Sequence, residues 1–300
     1  MTAALKRSRP RYSSTDSTTS GLLSWHEVPV WQQDNEYIVS GYRPTSGSVR
    51  MSIASLASWN NQTVNSYSHL IGAAIFAVLP FYYYAFIFVE ENNALAMDLV
   101  VMCVYCYGVT TCFIFSAMFH TLWNHSDRYA RLYNKLDYLG VLVLMWGAGI
   151  PTIFYGFLCD NALRSMYCMV TTSTAMFCTY LTLSPQFASP RFRRWRACFF
   201  AGYGLSSMMF VMHGLLLYGW EIQKTRMSLS FAGWVAVFNL IGAAIYATRI
   251  PERWCAYSFD IIGASHQIFH MTVIVAAWIH FRGIVEAFSA VRATPSTCHN

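Results

Sequence analysis

Residues 265–288 read SHQIFHMTVIVAAWIHFRGIVEAF. The run is predominantly apolar and as long as a helix must be to cross a hydrocarbon core of about 30 Å. It opens on His266 and His270, four positions apart, a spacing that stacks side chains on one helix face. Six further segments of similar character lie upstream, near residues 68–89, 98–122, 138–158, 163–183, 197–219 and 229–248. At 55% hydrophobic and 11% charged residues, the 300-residue chain is too apolar for a soluble globular domain. The pattern predicts an all-α membrane protein, a seven-transmembrane helix bundle. The fourth segment carries the weakest signal, because Thr171, Thr172, Ser173 and Thr174 interrupt it.

Charge placement tests that count, since Lys and Arg concentrate in cytoplasmic loops. Lys6, Arg7, Arg9, Arg11, Arg43 and Arg50 precede the first segment, and Arg128, Arg131 and Lys135 follow the second. Arg191, Arg193, Arg194 and Arg196 follow the fourth, and Arg249 and Arg253 follow the sixth. With seven spans, fifteen of the 20 basic residues fall on one side. If the fourth segment did not span, the two most basic internal loops would lie on opposite sides. The bias places the N-terminus in the cytosol and the C-terminus outside. The sequons Asn61-Gln62-Thr63 and Asn124-His125-Ser126 then face the cytosol and should carry no sugar.

The net charge of +6 is therefore topology information, and no nucleic-acid partner is expected. No signal peptide precedes the first span, which acts as its own insertion signal. An integral multi-pass location follows, at the plasma membrane or an endomembrane. The nine cysteines lie mainly inside apolar segments. Cys103 and Cys106 read there as small packing residues, and no disulfide framework is indicated.

Residues 1–20 are basic and then rich in Ser and Thr, which predicts a disordered cytosolic tail. Residues 21–62 carry Trp25, Trp31, Tyr37, Tyr42 and Trp59 among polar residues, as expected of a cytosolic juxtamembrane cap. Within it Val49, Ile53, Leu56 and Ala57 recur at helical spacing, predicting a short amphipathic helix. The seven-helix domain is expected over residues 63–288, and a short external tail over 289–300. Leu70 to Ala77 reads LIGAAIFA and Leu240 to Ala247 reads LIGAAIYA. The flanking sequence does not repeat, so both copies read as small-residue faces that let helices approach.

Ionisable residues at membrane depth are costly and mark function. His120, at the far end of the second segment, shares a membrane face with His266 and His270. Three imidazoles make a zinc ligand set with an open position for water. In soluble zinc proteases the residue after the first His is a Glu that acts as general base. Here it is Gln267, which takes no proton, so a base must come from elsewhere. Among Asp127, Asp137, Glu252 and Asp260, on the same side, Asp137 stands out because it opens the third span. Ser116, four residues before His120, shares its helix face and can hydrogen-bond a water or an oxyanion. The bland alternative makes His266 and His270 interfacial residues bonded to loop carbonyls, Asp137 an N-cap and His120 a C-terminal helix charge. His69 reads as part of a capping network with Thr63, Asn65 and Ser68. His213 reads as a helix–helix hydrogen bond, and His280 lies too deep to share the site.

These residues resemble the adiponectin/progestin receptor family, with its fungal Izh-type branch implicated in zinc and sterol homeostasis and its hemolysin III relatives. The resemblance covers roughly residues 35–288. It rests on Asn35-Glu36-Tyr37-Ile38 with Gly41-Tyr42-Arg43, and on Thr63-Val64-Asn65-Ser66-Tyr67-Ser68-His69. It continues through Ser116 to His120, Asp137-Tyr138 with Gly140, Arg249-Ile250-Pro251-Glu252-Arg253 and Ser265-His266-Gln267-Ile268-Phe269-His270. Family members often carry Glu before Thr63, where this chain has Gln62. The resemblance implies seven helices with a cytosolic N-terminus, opposite to G-protein-coupled receptors, so G-protein coupling is not expected. It implies zinc on His120, His266 and His270, with Asp137 and Ser116 near a bound water. It also implies likeness to alkaline ceramidases, membrane amide hydrolases that act on ceramide.

The leading functional expectation is a zinc-dependent lipid amidase tied to lipid, sterol or zinc homeostasis signalling, with a ceramide-like or sterol-related lipid in the bundle interior. The alternative is a non-enzymatic receptor for an extracellular ligand, clamped by structural zinc. A zinc or ion transporter ranks last, because the polar residues gather at one membrane face instead of lining a path across it.

Overall fold

The computed structural model describes residues 21–184 and 193–293. The expected N-terminal tail and all but residues 289–293 of the expected external tail lie outside that range. A short helix, α1 (Val49–Ala54), precedes seven long ones. These are α2 (Thr63–Tyr83), α3 (Ala96–Leu122), α4 (Asp127–Gly156), α5 (Asn161–Leu183), α6 (Arg193–Arg226), α7 (Leu229–Thr248) and α8 (Ser265–Arg292). Among the described residues, strand-type pairing is confined to one bridge between Leu23 and Tyr42. Six of the long helices are both long and apolar enough to cross a membrane. The exception is α5, whose Thr/Ser run lowers its hydropathy; its 23 residues still extend about 34 Å at 1.5 Å per residue.

Local chemistry fixes where the helices begin. The Asp160 carboxylate accepts the Leu163 amide at 2.9 Å ahead of α5, and Ser48 accepts the Met51 amide ahead of α1. Asp98, in the first turn of α3, accepts the Leu95 amide at 2.8 Å. α6 is broken at Gly219, whose φ of 77° lies in the left-handed region that glycine enters without a steric penalty. α8 runs four residues past the expected end of the bundle. There Arg292 donates to both oxygens of fully buried Asp98, at 2.9 and 3.0 Å, joining the end of α8 to the start of α3.

Small residues set the closest helix contacts. A Cβ on Gly140 of α4 would lie 2.8 Å from the Cys112 Cα of α3, and Gly108 and Gly147 meet across the same seam. The two similar octapeptides serve different partners: Gly72 packs on Phe113 of α3, and Gly242 on Thr272 and Phe269 of α8. Both therefore act as packing faces. Phe76, Tyr105, Phe113, Phe281 and Phe288 fill the core between α2, α3 and α8. Cys106 and Cys112 are buried and, like Cys103, free. Cys159, in the turn between α4 and α5, is disulfide-bonded, where the sequence indicated no disulfide framework.

The cap folds over one end of the bundle. Tyr42 donates its hydroxyl to the Ile38 carbonyl at 2.9 Å, and the Ser46 and Gly47 amides donate to the Asn124 and His125 carbonyls. α1 ends at Ala54, and Leu56 and Ala57 fall in a 3-10 turn that follows it; Val49 and Ile53 are exposed while Ser52 faces inward. An outward apolar face suits a helix lying at a membrane surface.

Candidate metal centre

Three helix ends meet beneath the cap: the start of α2, the end of α3 and the start of α8. One turn of α3 separates Ser116 from His120, both about 1% exposed, and one turn of α8 separates His266 from His270. One ring nitrogen from each of His120, His266 and His270 lies within 4.8 Å of the other two. His120 Nε2 and His266 Nε2 are 3.2 Å apart. Two nitrogens sharing a tetrahedral zinc at about 2.0–2.1 Å sit roughly 3.3 Å apart, so this pair has the separation a bound ion requires. The set of three neutral nitrogen donors suits zinc or a similar borderline cation. The residues therefore fit a metal.

The outer faces of these rings are held as well. Gln62 Oε1 lies 2.8 Å from His120 Nδ1, and the Asn65 carbonyl faces the His270 ring. Ser68 Oγ lies 3.4 Å from His270 Nδ1. His69 lies flat on His270, ring centres 3.7 Å apart and planes 6° apart, with Phe113 on its other side. His69 thus belongs to the site, a correction to its reading as part of a capping network. His213 meets Tyr167 Oη at 2.7 Å between α5 and α6, and His280 meets the Ala148 carbonyl at 3.1 Å, so both stand apart as expected.

The candidate carboxylates separate by role. Asp137 and Ser116 are neighbours across the α3–α4 seam, with Ser116 one turn of α3 from His120. Residues 133–139 of α4 are all half-buried, so the helix stays accessible around Asp137. Glu252 is buried and accepts the Ser265 amide at 2.8 Å, the Ser265 hydroxyl and Asn35 Nδ2 at 2.9 Å. It therefore caps α8 at its positive dipole end. Asp260 accepts Ser40 Oγ at 2.6 Å and the Val39 amide, anchoring the cap. Asp127 pairs with Arg131 on the surface. Gln267 is turned into the loop, accepting the Gly263 amide at 2.6 Å and donating to the Ile261 carbonyl at 2.9 Å.

A polar cleft of about 320 Å³ runs from the cap to the metal centre. Asp34, Gln62, Arg249 and Asp260 line it, and His120 and His266 form its floor. Asn65 Oδ1 and both amide atoms of buried Gln32, also in its wall, make no hydrogen bond within the protein. Sequence reasoning missed Asn65 and His69 as parts of this site and left Gln62 without a role. The run from Gln62 to His69 held the available signal, polar residues clustered at a span entrance.

The fold and site define an integral multi-pass helical membrane protein with a three-histidine pocket at one membrane face. The chain belongs to the haemolysin-III-related family, which matches residues 57–281. It is 35% identical over 270 residues to the ADIPOR-like receptor IZH2 of Saccharomyces cerevisiae, covering 90% of this chain and 85% of that one. It is 35% identical over 265 residues to the adiponectin receptor protein of Drosophila melanogaster, covering 88% of this chain but only 59% of the fly protein. The heptahelical transmembrane protein ADIPOR1 of Oryza sativa is 29% identical over 320 residues, covering 90% and 85%. The seven long helices match in number the heptahelical name of the rice relative.

Proposed function

We propose that this protein is a zinc-dependent lipid amide hydrolase of ceramidase type, linked to lipid, sterol or zinc homeostasis signalling, with its histidine face in the cytosol. The observation that carries the reading is the convergence of three imidazole nitrogens, with Ser116 one turn of α3 from His120 and Asp137 next to Ser116 on α4. Zinc bound by His120, His266 and His270 would supply Lewis acidity and lower the pKa of a water towards about 7. Asp137 would take the proton as the water oxygen bonds to the amide carbon, and would return it to the nitrogen as the C–N bond breaks. The products are a fatty acid and an amine. Ser116 would orient the carboxylate and offer its hydroxyl to the developing oxyanion. The apolar bundle interior would hold the acyl chain, and the polar cleft would admit water.

One observation favours a structural role for the metal in a non-enzymatic receptor: α3 and α8, which carry the three histidines, touch at few positions directly. An ion would clamp them. Purified protein given a ceramide-type amide, with and without chelator, separates the two. The hydrolase reading expects release of fatty acid that ends when Asp137→Ala is introduced with zinc content unchanged. Turnover unaffected by Asp137→Ala would sink it. A bundle that melts on chelation and never consumes lipid would favour the clamp.

A further inference from the structure

The two catalytic candidates leave unexplained how the histidine rings are oriented, and the start of α2 answers this. Gln62 Oε1 faces His120 Nδ1 at 2.8 Å and also accepts Asn65 Nδ2 at 2.9 Å. An amide oxygen only accepts, so this contact puts the imidazole proton on Nδ1 and leaves Nε2 bare. Bare Nε2 is the atom that meets His266 Nε2 at 3.2 Å. The amide is itself held in place. The Gln62 backbone N–H donates to Asn60 Oδ1 at 2.9 Å, and buried Asn60 donates to the Ser58 carbonyl at 2.9 Å. One and two turns on, the Asn65 carbonyl and Ser68 Oγ face the ring of His270, and His69 lies flat against it.

Resting on the metal reading above, we propose that Gln62 is a positioning residue of the metal centre. It sets the His120 tautomer and, with Asn65, Ser68 and His69, makes the first two turns of α2 the outer layer of the site. Because Gln62 sits where the cap joins α2, folding of the cap and affinity for metal are coupled. Outer-layer partners of metal-bound histidines contribute about 10–100-fold to affinity when they fix ring orientation.

The test is zinc affinity of the full-length protein in lipid nanodiscs, read by competition with a chelator of known affinity. Gln62→Leu should weaken binding by about 10–100-fold. Gln62→Glu, which offers an acceptor to the same Nδ1–H, should bind at least as tightly as the parent. A Leu variant within about twofold of the parent overturns the proposal. So does a Glu variant that binds more weakly than the parent, a result that decides the matter even where the Leu variant does not fold. A parent protein that takes up no zinc overturns the metal reading itself, an outcome distinct from variants that match a zinc-binding parent.

Discussion

The Arg43 guanidinium is buried where the cap meets α3 and donates to the His120 carbonyl at 2.6 Å, the Thr121 carbonyl at 3.0 Å and Ser55 Oγ at 2.8 Å. The two carbonyls belong to the last turn of α3, at the negative end of its dipole, where carbonyls lack helical partners. Burial lowers the guanidinium pKa to about 10, so it remains protonated at neutral pH. A folded value below the unfolded one means that burying the charge costs stability, and the three hydrogen bonds must offset it. Arg43→Met removes that cost but strands buried acceptors, worth about 1–3 kcal/mol each. We therefore expect net destabilisation of about 1–3 kcal/mol, with Arg43→Lys intermediate because an ammonium lacks the planar fork. Thermal melting of the detergent-purified variants checks this; a Met variant as stable as the parent would show that the bonds merely balance burial. At this scale the sequence was half legible. His266 and His270 announce themselves by helical spacing, and His120 and Asp137 by the membrane face they share. Arg43, Gln62, Glu252 and His69 act through partners on other elements, which no local period reveals.

α3 and α4 illustrate how an element, more than a side chain, builds the site. The Gly140–Cys112 contact lies one turn deeper than the Ser116–Asp137 pair, and a side chain at 140 would meet backbone atoms that cannot step aside. Overpacking of this kind costs about 1–3 kcal/mol and is relieved by moving the helices apart. Gly140→Leu should therefore separate Ser116 from Asp137 while leaving the histidines, on α3 and α8, in register. The expected outcome is zinc content near the parent's with lipid hydrolysis lost. Gly233→Ala, where an added Cβ meets nothing within 4 Å, should change neither. Joint loss of zinc and activity in Gly140→Leu would mean that α4 also supports the histidine cluster. The sequence announces these seams only as scattered glycines. It was more informative about α5, whose Thr-rich run fails a hydropathy test but whose flanking Arg residues require a crossing.

Orientation belongs to the molecule as a whole, and two independent observations bear on it. Fifteen of the 20 basic residues precede or follow segments on the histidine side. At the other end, Cys159 is disulfide-bonded, and disulfides persist in oxidising compartments, not in the cytosol. Both favour a cytosolic N-terminus and an external C-terminus. The native sequons cannot decide the question, because Asn61 and Asn124 are about 6% and 4% exposed and Asn124 Nδ2 donates to the Pro44 carbonyl. Buried in the cap interface, neither can carry a sugar in the folded protein on either side of the membrane. Sequon-bearing extensions long enough to clear the bilayer remove that ambiguity. One placed after Asn300 should gain an endoglycosidase-sensitive mass shift on expression in a glycosylating host, and the same extension before Met1 should not. The reverse pattern would invert the bundle. It would also turn the polar cleft and the Ser116–Asp137 pair away from the cytosol, placing any lipid hydrolysis on the outer leaflet.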